Sequence, residues 1–189
     1  MSLNFFAIIR ILSMVLVLLG GSMIPSAIVS FIYEEHQIGL DFLTIIFPTI
    51  LLGILIYKKV DAETGKLRLR DGFFVVTVSW FLASFIGCFP YLITGCIDSF
   101  IDAFFESVSG FTTTGATILT ELETLPKGIL FWRSFCQWLG GMGILVFAIS
   151  ILPALGISGQ HMAKAETPGI SLNKIVPRMS DTAKILYII

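Results

Sequence analysis

Charged side chains are scarce in this chain: aspartate, glutamate, lysine and arginine make up 13% of its 189 residues, and the net charge is -1. This balance gives no support for binding nucleic acid through bulk electrostatic attraction. By contrast, 56% of the residues are hydrophobic, and the mean hydropathy is +0.92. A soluble domain of this size could not bury so much apolar surface, so we predict an integral membrane protein.

Cysteine and histidine are also few, at three and two residues. Cys88, Cys96 and Cys136 lie in or beside apolar runs without a CxxC pair, which favours small buried residues over a disulfide or a metal site. His36 and His161 lie in different loops without a cysteine cluster, so no zinc site is predicted. The sequence shows neither a Ser/His/Asp set nor a phosphate-binding loop. We therefore predict neither an enzyme nor a bound cofactor.

Four apolar runs are long enough to cross the hydrocarbon core of a membrane, which takes about 20 helical residues. They are Phe5–Tyr33, Ile38–Tyr57, Phe73–Ile93 and Ile129–Leu155. Pro48 should kink the second run. The first run could instead be a signal peptide with Arg10 as its basic flank. It continues past the small residues near Ser26, further than a signal peptide requires, so we predict a retained helix.

Lysine and arginine are concentrated in two polar loops, residues 58–72 and 158–184. Of the segments on the opposite side, one has no basic residue, and the other has only Lys127 and Arg133. Because loops rich in lysine and arginine stay in the cytoplasm, we predict that both basic loops and the N-terminus are cytoplasmic. The stretch "SGFTTTGAT", residues 109–117, then lies on the outer side.

A short helix is predicted over Asp98–Gly110, directly before the three threonines. Asp98 or Ser99 can cap its start, Asp102 follows Ser99 at a capping-box-like spacing, and Gly110 is a plausible stop. Such a helix is about 18 Å long, roughly half a membrane, so it can enter the membrane without crossing it. Its apolar face consists of Ile101, Phe104, Phe105 and Val108.

After this helix, the chain must return to the outer side through "FTTTGAT", residues 111–117. Non-helical backbone at membrane depth is tolerated only where it is buried in protein or lines a water-filled path. If the run is extended, the carbonyls of Thr112, Thr113, Thr114 and Gly115 can point to one axis and replace the hydration shell of an alkali cation. The negative end of the short helix would favour a cation there. An ordinary outer loop after an interfacial helix is the alternative.

Two strings in this order, "TTTGAT" and "QWLGGMGILVFAISILPALG", are together similar to the first repeat of the Trk/Ktr potassium transporters, in the Trk membrane-subunit branch. The resemblance covers nearly the whole chain, including two helices that precede the repeat. It implies an all-α membrane fold: two leading transmembrane helices, then one helix–pore-loop–helix repeat of a potassium-channel-like architecture.

The resemblance also implies a function, the uptake of potassium ions across the bacterial inner membrane. Members of the family arrange four such repeats around one pore. On this chain, the potassium-coordinating carbonyls fall on Thr113 and Thr114, flanked by Thr112 and Gly115. The implied partners are the remaining pore repeats, a second copy of the full-length protein, a cytosolic nucleotide-binding regulatory subunit and the lipid bilayer. Transport would be passive or coupled to another ion.

Only one repeat is present, so we expect a fragment, a truncated reading frame or the N-terminal part of a split gene. The alternatives are a single-repeat subunit that must oligomerise and a non-conducting membrane assembly module. The expected organisation is two helices in 1–57, a cytoplasmic loop in 58–72, the repeat in 73–156 with its pore helix at about 98–110 and its filter at about 111–117, a loop in 157–184, and the start of another helix in 185–189.

Two further groups of residues have a functional interpretation beside a plainer one. Glu106 either supports the filter or pairs with Arg133 on the following helix, and the plainer interpretation is a solvated carboxylate. Pairing is considered because an ionisable group at membrane depth normally has a partner. Gly140, Gly141 and Gly143 lie inside the fourth apolar run. They either allow a bend near the pore or serve ordinary small-residue packing between helices.

Overall fold

A computed structural model describes the chain over residues 5–60 and 69–154, and its side chains over residues 5–60 and 70–143. Regular structure within these residues is entirely helical, which confirms the all-α class. In chain order the helices are α1 Phe5–Ser22, α2 Ile24–Ile32, α3 His36–Lys59, α4 Leu69–Gly87, α5 Phe89–Ile93, α6 Phe100–Phe111 and α7 Lys127–Ala154, with a 3-10 turn at Leu122–Thr124. Several features predicted from the sequence lie outside the described residues. They are His161, the loop at 157–184, the helix start at 185–189 and residues 61–68 of the first basic loop.

Three stretches of helix are long and apolar enough to cross a membrane: Phe5–Ile32, His36–Lys59 and Arg70–Ile93. They coincide with the first three predicted apolar runs, which confirms a protein with transmembrane helices. The fourth run falls in α7, whose 28 residues extend about 42 Å, enough to span a bilayer.

Prolines interrupt two of these spans. The helix of the first span breaks at Met23, two residues before Pro25, and that of the third breaks at Cys88, two residues before Pro90. Proline cannot donate the helical hydrogen bond and clashes with the preceding turn, so a break just before it is expected. Pro48, where the sequence predicted a kink, lies inside α3, which remains one helix from end to end.

The helices of the compact unit Met1–Trp138 pack around α3 and α4. Helix α3 contacts α1, α2 and α5, and α4 contacts α1 and α6. The α7 residues of this unit are anchored by Trp132, which is fully buried. Its indole packs edge-on against Phe42 and Phe111, and its Nε1 donates a hydrogen bond to the Gly87 carbonyl at 3.0 Å. Trp132 thus joins α7 to α3, α4 and α6, beside the helix break at Cys88.

Candidate functional site

Helix α6 is the short helix that the sequence predicts directly before the three threonines. Its 12 residues, Phe100–Phe111, correspond to a length of about 18 Å. Ser99 is the N-cap: its hydroxyl accepts a hydrogen bond from the Asp102 amide at 3.4 Å. The start therefore falls two residues after the predicted Asp98. Ser99 is one of the two residues, with Asp98, that the sequence predicts as the N-cap.

The apolar face of α6 is only partly exposed: Ile101 and Phe105 face outward, whereas Phe104 and Val108 are half-buried. Ile101 is 76% exposed and Phe105 is 45% exposed, whereas the buried residues of α6 are Ala103, Glu106, Ser107, Ser109 and Phe111. Phe104 packs edge-on against Phe81 of α4, and Phe100 packs in the same way against Phe85. Within the chain, α6 therefore packs against α4 through aromatic rings, and its small and polar buried side chains lie toward the threonine-rich loop and the first turns of α7.

Gly110 is not the stop of α6, contrary to the sequence-based prediction. The helix continues to Phe111 and ends in a Schellman motif, in which the Thr113 amide bonds to the Gly110 carbonyl and the Thr114 amide to the Ser109 carbonyl, both at 3.0 Å. The role of Gly110 is steric: a Cβ at this position would lie 3.1 Å from the Cβ of Cys136 on α7. Glycine here lets α6 and α7 approach closely.

Thr113 takes the left-handed position that glycine usually fills in this motif. Its φ is 57°, an unfavourable conformation for a β-branched residue. Thr112 is in the right-handed region, with φ -82° and ψ 0°, and Gly115 has φ 75°. The condition of an extended run is therefore not met at Thr112 and Thr113, because the helix cap turns the backbone there.

The carbonyl oxygens of Thr112, Thr113, Thr114 and Gly115 accept no hydrogen bond from any residue that the structure describes. The four residues are also exposed. The Ser109 and Gly110 carbonyls accept from the Thr114 and Thr113 amides, and the Ala116 carbonyl accepts from the Ser109 hydroxyl. The carbonyl of Phe111, the last residue of α6, likewise accepts no hydrogen bond from a described residue. Within the described chain, the run of carbonyls without a partner therefore begins at the end of α6 and continues through Gly115.

Glu106 fixes the far end of this loop. Its buried carboxylate accepts hydrogen bonds from the Thr117 hydroxyl at 2.9 and 3.0 Å and from the Ile118 amide at 3.3 Å. Arg133 Nε donates to Glu106 Oε1 at 2.6 Å, forming an ion pair between α6 and α7. The pairing with Arg133 that was weighed from the sequence is therefore present. The buried charge has a counter-ion and several donors, as burial of a carboxylate requires.

The sequence patterns did not predict the role of Glu35, in the turn between α2 and α3. Its carboxylate accepts hydrogen bonds from the first two amides of α7, those of Lys127 at 2.7 Å and Gly128 at 3.1 Å. Pro126 does mark where α7 begins, since proline is common at helix starts. Nothing in the sequence indicates that the capping acceptor comes from more than 90 positions away.

Gly140, Gly141 and Gly143 all lie within α7, and a hinge there stays a prediction.

The family model described as TrkH, a cation transport protein, matches residues 39–189. The Trk system potassium uptake protein TrkH of Escherichia coli K12 is 41% identical over 189 residues, covering 99% of this chain and 39% of that protein. The uncharacterized cation transporter MJ1485 of Methanocaldococcus jannaschii is 37% identical over 180 residues, covering 95% of this chain and 36% of that protein.

Among solved structures, the crystal structure of the potassium transporter TrkH from Vibrio parahaemolyticus matches with a TM-score of 0.81 and 39% sequence identity. The match covers 98% of this chain and 36% of that chain. This chain therefore spans well under half the length of the relatives that it matches.

Proposed function

Because this chain belongs to the TrkH family of cation transport proteins, we propose that it supplies one filter loop of a potassium uptake protein. The cation would be coordinated by backbone carbonyls of Thr113 and Thr114, flanked by those of Thr112 and Gly115. Potassium is the transported substrate in this proposal, and no covalent chemistry is involved. The relatives are named as transporters, which agrees with a role other than catalysis.

The observation that carries the proposal is that the carbonyls of Thr112, Thr113, Thr114 and Gly115 accept no hydrogen bond from any described residue. Exposed carbonyl oxygens held between fixed ends can replace water around a dehydrated cation. The ends are fixed by the Schellman motif at Thr113 and by the hydrogen bonds that the Thr117 hydroxyl and the Ile118 amide donate to the Glu106 carboxylate. The motif occupies the carbonyls of Ser109 and Gly110, so the carbonyls without a partner among the described residues begin at Phe111, the last residue of α6.

The role proposed for Glu106 and Arg133 is to support this loop without touching the ion. Their ion pair links α6 to α7, and the same carboxylate binds the segment that follows Gly115. Gly110 contributes by letting α6 lie close to α7. Gly140, Gly141 and Gly143 are proposed to permit bending or close packing further along α7.

A single loop supplies only part of a filter, so the proposal requires partners. They are the remaining pore repeats, in a family that arranges four around one pore, a second copy of the assembled protein, and a cytosolic nucleotide-binding regulatory subunit. We place the protein in the bacterial inner membrane, with the N-terminus cytoplasmic and the loop on the outer side. In this proposal residues 1–57 form the leading helix pair, and residues 73–156 form the repeat, with the filter at 111–117.

Growth at low potassium tests the proposal. The chain is expressed in cells that lack potassium uptake, alone and together with downstream pore repeats. We expect rescue of growth only with the downstream repeats. Rescue by the chain alone would favour a self-assembling single-repeat subunit, and no rescue in either case would favour a non-conducting assembly module.

A further inference from the structure

The contact between Glu35 and α7 joins the N-terminal helix pair to the repeat that carries the loop. Both carboxylate oxygens are used, one on the Lys127 amide and one on the Gly128 amide. These amides belong to the first turn of α7, which has no intrahelical acceptor for them and carries the positive end of the helix dipole. A carboxylate at this position therefore forms charge-assisted hydrogen bonds, which are stronger than bonds between neutral groups.

A second Schellman motif places Glu35 there. The Glu34 amide bonds to the Phe31 carbonyl at 3.2 Å, and the Glu35 amide bonds to the Ser30 carbonyl at 2.9 Å. Glu34 takes the left-handed position, with φ 63°. Glu34 and Thr113 are the two non-glycine residues with positive φ in the described part of the chain, and each ends a helix in this way. The strained turn at Glu34 directs the next residue toward α7.

The surfaces beside this contact fit closely. A Cβ built on Gly128 would lie 3.1 Å from the Cβ of Ser30 and 3.2 Å from the Ser26 carbonyl oxygen. It would also overlap the Ser30 hydroxyl. The start of α7 therefore lies directly against α2, and the carboxylate bonds and the steric contact reinforce each other.

From this point a continuous series of contacts leads to the loop. Arg133 lies five residues after Gly128 on the same helix and pairs with Glu106. Glu106 in turn holds Thr117 and Ile118, at the far end of this run of carbonyls. A shift of the first turns of α7 would therefore move Arg133 and loosen the Glu106 bonds to the loop.

We propose that the leading helix pair, residues 1–57, stabilises the position of the filter loop, with Glu35 as the positioning residue that holds the start of α7. This inference rests on the proposed function for its meaning in transport, but the mechanical coupling can be measured without transport. It gives the two leading helices a role beyond membrane anchoring, and it places a residue of the α2–α3 turn in control of ion selectivity.

Amide hydrogen exchange on the purified chain in detergent micelles tests the coupling. Glu35→Ala is compared with Glu35→Gln, which keeps an oxygen acceptor but loses the charge, and with Glu34→Gln as the neighbouring charge control. We expect Glu35→Ala to accelerate exchange about tenfold at Lys127 and Gly128. We also expect faster exchange at Ile118, a smaller effect of Glu35→Gln at both places, and no effect of Glu34→Gln.

Faster exchange at Lys127 and Gly128 without any change at Ile118 would overturn the proposed coupling, because the effect of Glu35 would then be confined to the start of α7. No change at either place would overturn the cap itself. In the assembled transporter, Glu35→Ala should also lower the selectivity for potassium over sodium at equal protein level. A lower protein level with unchanged selectivity would instead indicate a role confined to folding. A transporter that moves no potassium with the wild-type chain would count against the proposed function and leave the exchange result standing.

Discussion

Thr113 stores strain at the entrance of the loop. A β-branched residue at φ 57° costs about 1–2 kcal/mol relative to a relaxed conformation, and glycine avoids this cost. We predict that Thr113→Gly raises the free energy of unfolding of the chain by about 1 kcal/mol. Thermal unfolding of the purified chain in micelles measures this, with Gly115→Ala as the opposite case, because it adds a Cβ at φ 75° and should lower stability. Destabilisation by Thr113→Gly would show that the threonine side chain outweighs the strain.

The Glu106–Arg133 pair gives a second prediction at the scale of single residues. Removing one partner of a buried ion pair leaves the other charge uncompensated, so Glu106→Gln should cost about 3 kcal/mol of unfolding free energy. The double variant Glu106→Gln with Arg133→Met should cost less than the sum of the two single changes. A double-mutant cycle by denaturant unfolding measures the coupling. Strict additivity would mean that the pair contributes nothing beyond its separate side chains.

The sequence made some residues of the site predictable and left others unpredictable. Glu106 and Arg133 are charges in apolar surroundings, and that alone predicts that each needs a partner. Glycine can take conformations that are closed to other residues, and Gly115 does so, with a positive φ. Thr113 and Glu35 could not be predicted, because a left-handed threonine and a cap from a distant turn depend on the packed structure and not on local pattern.

At the scale of helices, the close contact between α6 and α7 is the feature most open to test. A Cβ at Gly110 would lie 3.1 Å from the Cys136 Cβ, so a larger residue must push the two helices apart. We predict that Gly110→Val destabilises the chain by about 1–3 kcal/mol, and that Cys136→Gly in the same chain partly restores stability. Gly21→Ala is the control, since nothing lies within 4 Å of its added Cβ. Equal stability of Gly110→Val and the wild type, measured by unfolding, would contradict the contact.

Most helices could be predicted, because apolar length is the strongest signal in a membrane sequence. The ends of α6 were predicted less well: a glycine near a helix end suggests a stop, but Gly110 serves packing instead. The apolar face of α6 was predicted correctly as a pattern. The sequence does not tell that Ile101 and Phe105 face outward while Phe104 packs against α4, because the neighbours of a short helix become known only from the fold.

For the whole molecule, Cys96 reports which side of the membrane the loop faces. Cys88 and Cys136 are buried, and Cys96 is half-buried in the turn between α5 and α6. Burial raises the pKa of the Cys96 thiol above its ordinary value, and a hydrogen bond from Thr94 opposes this only in part. Since the thiolate is the reactive form, labelling should be slow near pH 7 and should keep accelerating as the pH rises through the ordinary thiol pKa.

We predict that a membrane-impermeant maleimide labels Cys96 when it is added to intact spheroplasts, because the proposed orientation has this turn and the filter loop on the outer side. Cys96→Ser should abolish this labelling and serves as the control. Labelling that appears only after the membrane is opened would reverse the proposed orientation.

The central claim is that the free carbonyls around Thr113 and Thr114 coordinate potassium, and the most direct measurement is the selectivity of transport in the assembled protein with Gly115→Ser. Serine adds a Cβ at φ 75°, 3.6 Å from Gln137 Nε2, so the strain should distort the neighbouring carbonyls. Gly95→Ser is the matched control, since Gly95 has φ 70° in a turn with nothing within 4 Å of an added Cβ. We predict that Gly115→Ser lowers the ratio of potassium to sodium uptake, while Gly95→Ser leaves it unchanged. An unchanged ratio with Gly115→Ser, at normal protein level, would contradict the assignment of this loop as a potassium filter.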